Sequence, residues 1–228
     1  IAASTAKRKL ILVDAVFSMD GDCSDLVALL DIARRYDAWL VIDDAHGFGV
    51  RGRNGRGSLD AERIGSDERI VYVGTLGKAA GLSGAFVAAD ETVVDWLIQS
   101  SRTHIFTTAA IPALSAAIVE SIGCIRAGDD RRAQLEQLKE RLRTGCAGLK
   151  WPLLESTTPI QPLLIGDSHD ALRLAEGLRQ RGFWVPAIRP PTVPAGTARL
   201  RISLSATHSL EQVDALVAAL HDLAKGAE

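Results

Sequence analysis

The chain has 228 residues, of which 26 are basic and 28 acidic, for a formal charge of −2. That balance argues against a nucleic-acid-binding or membrane-surface protein, since both usually carry a basic excess. With 47% hydrophobic and 24% charged residues, the composition supports a sizeable core and excludes wholesale disorder. The length suits one large domain or two modest ones. Cys23, Cys124 and Cys146 are far apart and form no C-x-x-C pair, which fits a reducing, cytoplasmic setting rather than a disulfide scaffold. Met19 is the only methionine, and the chain opens Ile1-Ala2-Ala3-Ser4 without the apolar stretch of a signal peptide. We therefore expect 228 residues to be less than the whole protein.

In chain order, Leu10–Phe17 reads as a buried strand, and residues 25–36 place apolar side chains at helical spacing. Strands are expected over Trp39–Ile42, Ile70–Val73 and Gly84–Ala89, then a helix over 91–101. Such alternation predicts parallel strands joined by crossover helices. Residues 112–149 are helical in pattern, with a break at Gly128-Asp129-Asp130, where Asp129 is expected to cap the second helix. After Trp151-Pro152 the pattern becomes α+β. Strands are expected over 159–166, 183–188 and 199–204, and helices over 168–181 and 209–225. A domain boundary is expected between about Arg126 and Trp151, giving a large domain over 1–127 and a connecting helix plus small domain over 128–228. No run of about 18 apolar residues exists to span a membrane.

Polar residues gather at three strand ends: Ser18-Met19-Asp20-Gly21-Asp22, Asp43-Asp44-Ala45-His46-Gly47 and Gly74-Thr75-Leu76-Gly77-Lys78. Ligands of open α/β sheets bind outside those carboxyl ends. Two tempting motifs fail. Gly47-x-Gly49-x-x-Gly52 follows a strand, but Arg53-Asn54-Gly55-Arg56-Gly57 comes next where a helix should start, and no acidic residue ends a following strand at the required distance. Gly77-Lys78 lacks the earlier glycine and the following Ser/Thr of a phosphate-binding loop, because positions 72 and 79 are Tyr and Ala. A pyridoxal phosphate (PLP) site accounts for the set better. A lysine in a Gly-flanked loop can carry an aldehyde as a Schiff base. An acid facing a pyridine nitrogen keeps the ring protonated and electron-withdrawing, a role open to Asp43. His46 can reach the ring's phenolic oxygen, and Thr75 can offer its hydroxyl to the phosphate. Taken singly, Lys78 reads as a surface lysine and His46 as a loop histidine; Asp44, on the other side of its strand, reads as structural. The joint spacing carries the reading.

These segments, from Val16 to Asp22, Asp43 to Val50 and Gly74 to Ala79, resemble the α-oxoamine synthases, fold-type-I PLP enzymes that condense an amino acid with an acyl thioester and release CO2. The resemblance implies an α/β fold: a mainly parallel large-domain sheet, here incomplete, plus an α+β C-terminal domain. The run Ala187–Arg201, with Arg189-Pro190-Pro191-Thr192, is closer to the branch that uses L-alanine and a pimeloyl thioester (pimeloyl-CoA or a pimeloyl carrier protein) in biotin biosynthesis. By resemblance, Lys78, His46 and Asp43 are catalytic, and Ser18, Asp43, His46, Thr75, Lys78, Thr107 and Thr108 bind the cofactor. Thr107 and Thr108 match a segment that reaches the partner subunit's phosphate in a homodimer. Thr192 and Arg201 match substrate-binding positions, although Arg189 and Arg199 compete with Arg201 as the carboxylate anchor. No metal is implied. The chain departs from the family at Cys23-Ser24-Asp25, where a proline is common. It also shows no Gly-rich phosphate cradle or ring-stacking aromatic ahead of Ser18, so an N-terminal part of the enzyme is expected to be absent. Glycine C-acetyltransferase, another synthase of the family, and an inactive folded fragment that binds no cofactor remain the alternatives.

Overall fold

The computed structural model describes residues 1–225. The chain forms two compact units, one of Ile1–Val16 with Cys23–Asp129, the other of Phe17–Asp22 with the chain from Asp130 onward. Neither unit is one continuous stretch, because the short segment after the first strand belongs with residues more than a hundred positions later.

The first unit is built on strands β1 (Leu10–Asp14), β2 (Trp39–Asp43), β3 (Ile70–Thr75) and β4 (Ala85–Ala88), in the order β1-β2-β3-β4. The first three run parallel, with Asp14 opposite Asp43 and Asp43 opposite Val73. The β1–β2 crossover is helix α1 (Leu26–Arg35), whose Asp25 caps the N-terminus by accepting the Ala28 N–H at 2.9 Å. Leu26, Leu30 and Ala33 recur on one face of α1 and pack with Leu40, Ile42, Ile70 and Tyr72. Strand β4 departs from the expected parallel pattern and runs antiparallel to β3. The reason is the short, helix-free connection over 76–84; a parallel return needs a crossover of a dozen or more residues. The strand expected over 10–17 ends at Asp14, and it is not buried. As an edge strand of the four, it leaves Leu10 55% and Leu12 71% exposed. Between β2 and β3 lie a 3-10 turn (Arg53–Gly55) and helix α2 (Ser58–Ala61); after β4 come α3 (Glu91–Ser100), α4 (Arg102–Ile105) and α5 (Pro112–Ala127).

The second unit contains α6 (Asp129–Gly145), β5 (Ile160–Gly166), α7 (Ser168–Gln180), β6 (Ala187–Ile188), β7 (Ala198–Ser203) and α8 (Leu210–Lys225). Its sheet has the order β5-β7-β6, antiparallel throughout. Leu138, Leu142, Leu163, Leu178, Leu200 and Leu220 form a fully buried core. Asp129 is the first residue inside α6 rather than its expected cap. The strand expected over 183–188 shrinks to two residues, because the Phe183 N–H closes the end of α7 on Leu178 O and Pro186 has no N–H to donate. Among the described residues no helix is long and apolar enough to cross a membrane, and none of the three cysteines is in a disulfide.

Candidate active site

The carboxyl ends of β2 and β3 lie side by side, which brings two of the polar clusters together. Asp43 closes β2 with its side chain exposed, and its Oδ1 accepts the Ala45 N–H at 2.9 Å. That Asx turn starts the loop 44–58, which carries His46. Thr75 closes β3. Its hydroxyl accepts the Gly77 N–H at 3.2 Å and lies 3.3 Å from Gly84 O, so both ends of the lysine-bearing loop gather on it. Within that loop the Gly81 N–H bonds Lys78 O at 2.9 Å, with Gly81 at φ +66°. Lys78 stands exposed at its crown, and its Nζ meets His46 Nε2 at 2.9 Å. The two loops also approach closely at Gly49, where a Cβ would sit 2.7 Å from the Ala79 side chain. From the other side, the Ser121 hydroxyl of α5 donates to Ala80 O at 2.7 Å.

Thr107 and Thr108 are exposed on the stretch between α4 and α5 of this unit. Ser18, Thr192 and Arg201 belong to the second unit. Ser18 is half-buried, and its carbonyl accepts Arg201 Nε at 2.5 Å. Arg201 also donates Nη1 to Ser203 Oγ at 2.9 Å, and burial lowers its pKa from the usual arginine value without removing its charge. Arg199, its neighbour on the same face of β7, is buried; it pairs with Asp20 and donates to Thr197 O at 3.0 Å. Thr192 is exposed in the turn closed by its N–H on Arg189 O at 3.0 Å. The Phe17–Asp22 segment is held further by the Ser156 and Thr158 hydroxyls, which donate to Gly21 O at 3.0 and 3.1 Å.

Residue pattern did not reveal the Asp20–Arg199 pair, nor the partners of Asp44, which it read only as structural. The Asp20–Arg199 pair joins positions far apart in sequence, and nothing local marks it. Asp44 is fully buried and accepts from Ser58 and Tyr72. The cluster of glycines around it was the available signal.

A family model for class I and II aminotransferases matches residues 1–220. The chain belongs to that family. Within the aminotransferase family its curated relatives include the 8-amino-7-oxononanoate synthase of Herminiimonas arsenicoxydans, 58% identical over 224 residues that cover 96% of this chain and 58% of that protein. The synthase of the same name from Nitrosospira multiformis is 56% identical over 228 residues, 100% of this chain and 57% of that protein. The chain thus spans less than two thirds of the length of the curated relatives it matches. Among solved structures, the 8-amino-7-oxononanoate synthase of Francisella tularensis superposes with a TM-score of 0.84 at 31% identity, covering 96% of this chain and 63% of that one. A serine palmitoyltransferase from S. paucimobilis, solved with bound PLP–myriocin, gives 0.88 at 27% identity over 96% of this chain and 55% of that one. The fold class is that of the fold-type-I PLP enzymes, which agrees with the resemblance of the strand-end motifs.

Proposed function

We propose that the full-length protein is a PLP-dependent acyltransferase that makes 8-amino-7-oxononanoate from L-alanine and a pimeloyl thioester in biotin biosynthesis, acting as a cytoplasmic homodimer. The observation that carries this reading is the Lys78–His46 contact of 2.9 Å at the strand ends that also bear Asp43 and Thr75. An amine, an imidazole, a carboxylate and a hydroxyl, gathered on Gly-flanked loops, match the donor set that PLP requires. Relatives at 56–58% identity named 8-amino-7-oxononanoate synthase support the choice of product.

When bound, PLP supplies an electron sink for negative charge at the amino acid's α-carbon. Lys78 would hold it through Nζ, Asp43 would pair with its ring nitrogen, His46 would lie near its ring oxygen, and Thr75 would bind its phosphate, with Thr107 and Thr108 serving the phosphate of the partner subunit. In the reaction a bond forms between the alanine α-carbon and the acyl carbon, the C–S bond breaks, and the thiol leaves. The alanine carboxyl then departs as CO2, and the α-carbon is reprotonated. Lys78 Nζ is the group that takes and returns the α-proton, and His46 Nε2 keeps that amine oriented. Asp43, with Oδ1 holding the Ala45 N–H, has its carboxyl oriented at the strand end. Arg201, charged and half-buried, is suited to the substrate carboxylate, and Thr192 to a further substrate contact.

In the full-length protein, Lys78→Ala is expected to abolish both turnover and the absorbance band that appears when PLP is added; retained turnover overturns the assignment. Alanine against glycine, each with pimeloyl and acetyl thioesters, tests the substrates. A preference for glycine with the acetyl donor would replace the proposed pair by that of glycine C-acetyltransferase.

A further inference from the structure

The Gly-rich run after β2 looks like a phosphate-binding loop in sequence, but in the structure it wraps a carboxylate. Asp44 is 0% exposed. Its Oδ2 accepts the Ser58 N–H at 2.7 Å and the Tyr72 hydroxyl at 2.6 Å, and its Oδ1 accepts the Ser58 hydroxyl at 2.6 Å. A Cβ on Gly47 would lie 2.1 Å from Asp44 Oδ1, and one on Gly57 would lie 2.3 Å from both Asp44 Oδ2 and the Tyr72 oxygen. Both glycines are therefore required by the carboxylate between them. Arg51 steadies the far side, donating to Ser58 Oγ at 3.0 Å and pairing with Glu62 at 3.3 Å. Burial, then the Asp44 charge, push the Tyr72 phenol far above its usual pKa, so it remains a donor.

These contacts bracket one functional side chain. The loop leaves the sheet at Asp44, folds over its own carboxylate with the Gly47 and Phe48 N–H groups on Asp44 O, and returns to it at Ser58. His46 sits inside that closure, two residues from the anchor, where it meets Lys78. We propose that Asp44 is a positioning residue: its buried carboxylate sets the path of the loop 44–58 and thereby places the His46 imidazole against the Lys78 amine. The catalytic consequence rests on the proposed function above; the placement itself does not.

Asp44→Asn keeps the shape but replaces one acceptor oxygen by an NH2, so a donor faces a donor at Ser58 or Tyr72. Tyr72→Phe removes one of the three donors and leaves the carboxylate. In the full-length protein with PLP bound, Asp44→Asn is expected to move the 15N resonances of the His46 ring. It should also lower kcat about 10–100-fold, as losses of orienting contacts do, while KM for the amino acid stays within about threefold by the same logic of altered orientation rather than binding. Tyr72→Phe is expected to shift the same resonances in the same direction by less. A folded Asp44→Asn variant with unmoved His46 resonances overturns the proposal. If that variant does not fold, unmoved resonances in Tyr72→Phe overturn it instead. The ring resonances report placement even if the activity assays refute the proposed reaction, so the two readings fail separately.

Discussion

The two units use buried polar groups differently. In the first, the buried carboxylate of Asp44 anchors the loop that carries half-buried His46, whose ring meets the exposed Lys78 of the next loop. In the second, buried Arg199 and Gln161 close interactions within the unit itself: Arg199 holds Asp20, and Gln161 Nε2 donates to Thr158 O at 2.7 Å and Ser156 O at 3.2 Å. The second unit also has the more continuous apolar core, with Leu163 and Leu200 facing each other across β5 and β7. The first leaves the edge of its sheet apolar and exposed. Substitutions in the second unit should therefore register chiefly as lost stability, and those around the first unit's strand ends chiefly as lost chemistry.

The sharpest way to break this contrast is Leu200→Ala. It truncates a fully buried side chain and is expected to cost about 2–5 kcal/mol, read from denaturant unfolding of the full-length protein; a loss near zero would show that the core does not carry the unit. Next is Asp20→Asn, which leaves buried Arg199 facing a neutral partner. Its expected cost is about 1–3 kcal/mol, below the loss for a fully buried pair because the Asp20 side chain is 39% exposed. Thermal unfolding followed by circular dichroism would measure it. In the first unit, Asp25→Ala removes the α1 cap and should cost about 1 kcal/mol, with Asp25→Asn restoring most of it; equal losses from both changes would contradict the capping role.

The smallest effect concerns pH. Burial pushes the Cys146 thiol up to about 11. Because the folded value lies above the unfolded one, this group's contribution is fully present below the unfolded pKa and is lost as pH rises toward 11. Alkylation at pH 8 followed by mass spectrometry should therefore mark exposed Cys124 and spare Cys146 until the protein unfolds. Rapid labelling of Cys146 in the native state would show that its site is not closed.

The placement of the strand-end residues was legible because it is local. Asp43 and His46 are three residues apart, as are Thr75 and Lys78, and each pair follows an apolar run that ends at the same side of the sheet. Helix limits were also largely legible: the helices expected over 91–101 and 168–181 form over Glu91–Ser100 and Ser168–Gln180, although Asp129, expected as a cap, lies inside α6. The direction of β4 was not read correctly. Its apolar pattern is the same for either direction, and only the length of the 76–84 connection distinguishes them.

By itself the sequence determined which side chains end the strands, how the helices start and stop, and which family the motifs resemble, since each depends on neighbours within a few positions. Tertiary structure alone decided that Lys78 meets His46 across 32 positions, that Asp20 pairs with Arg199 across 179, and that Gly47 and Gly57 close on the Asp44 carboxylate. The physical reason is the same in all three cases. A buried or bridging polar group is stable only with its partner at hydrogen-bond distance, and chain pattern does not show which distant segment supplies that partner.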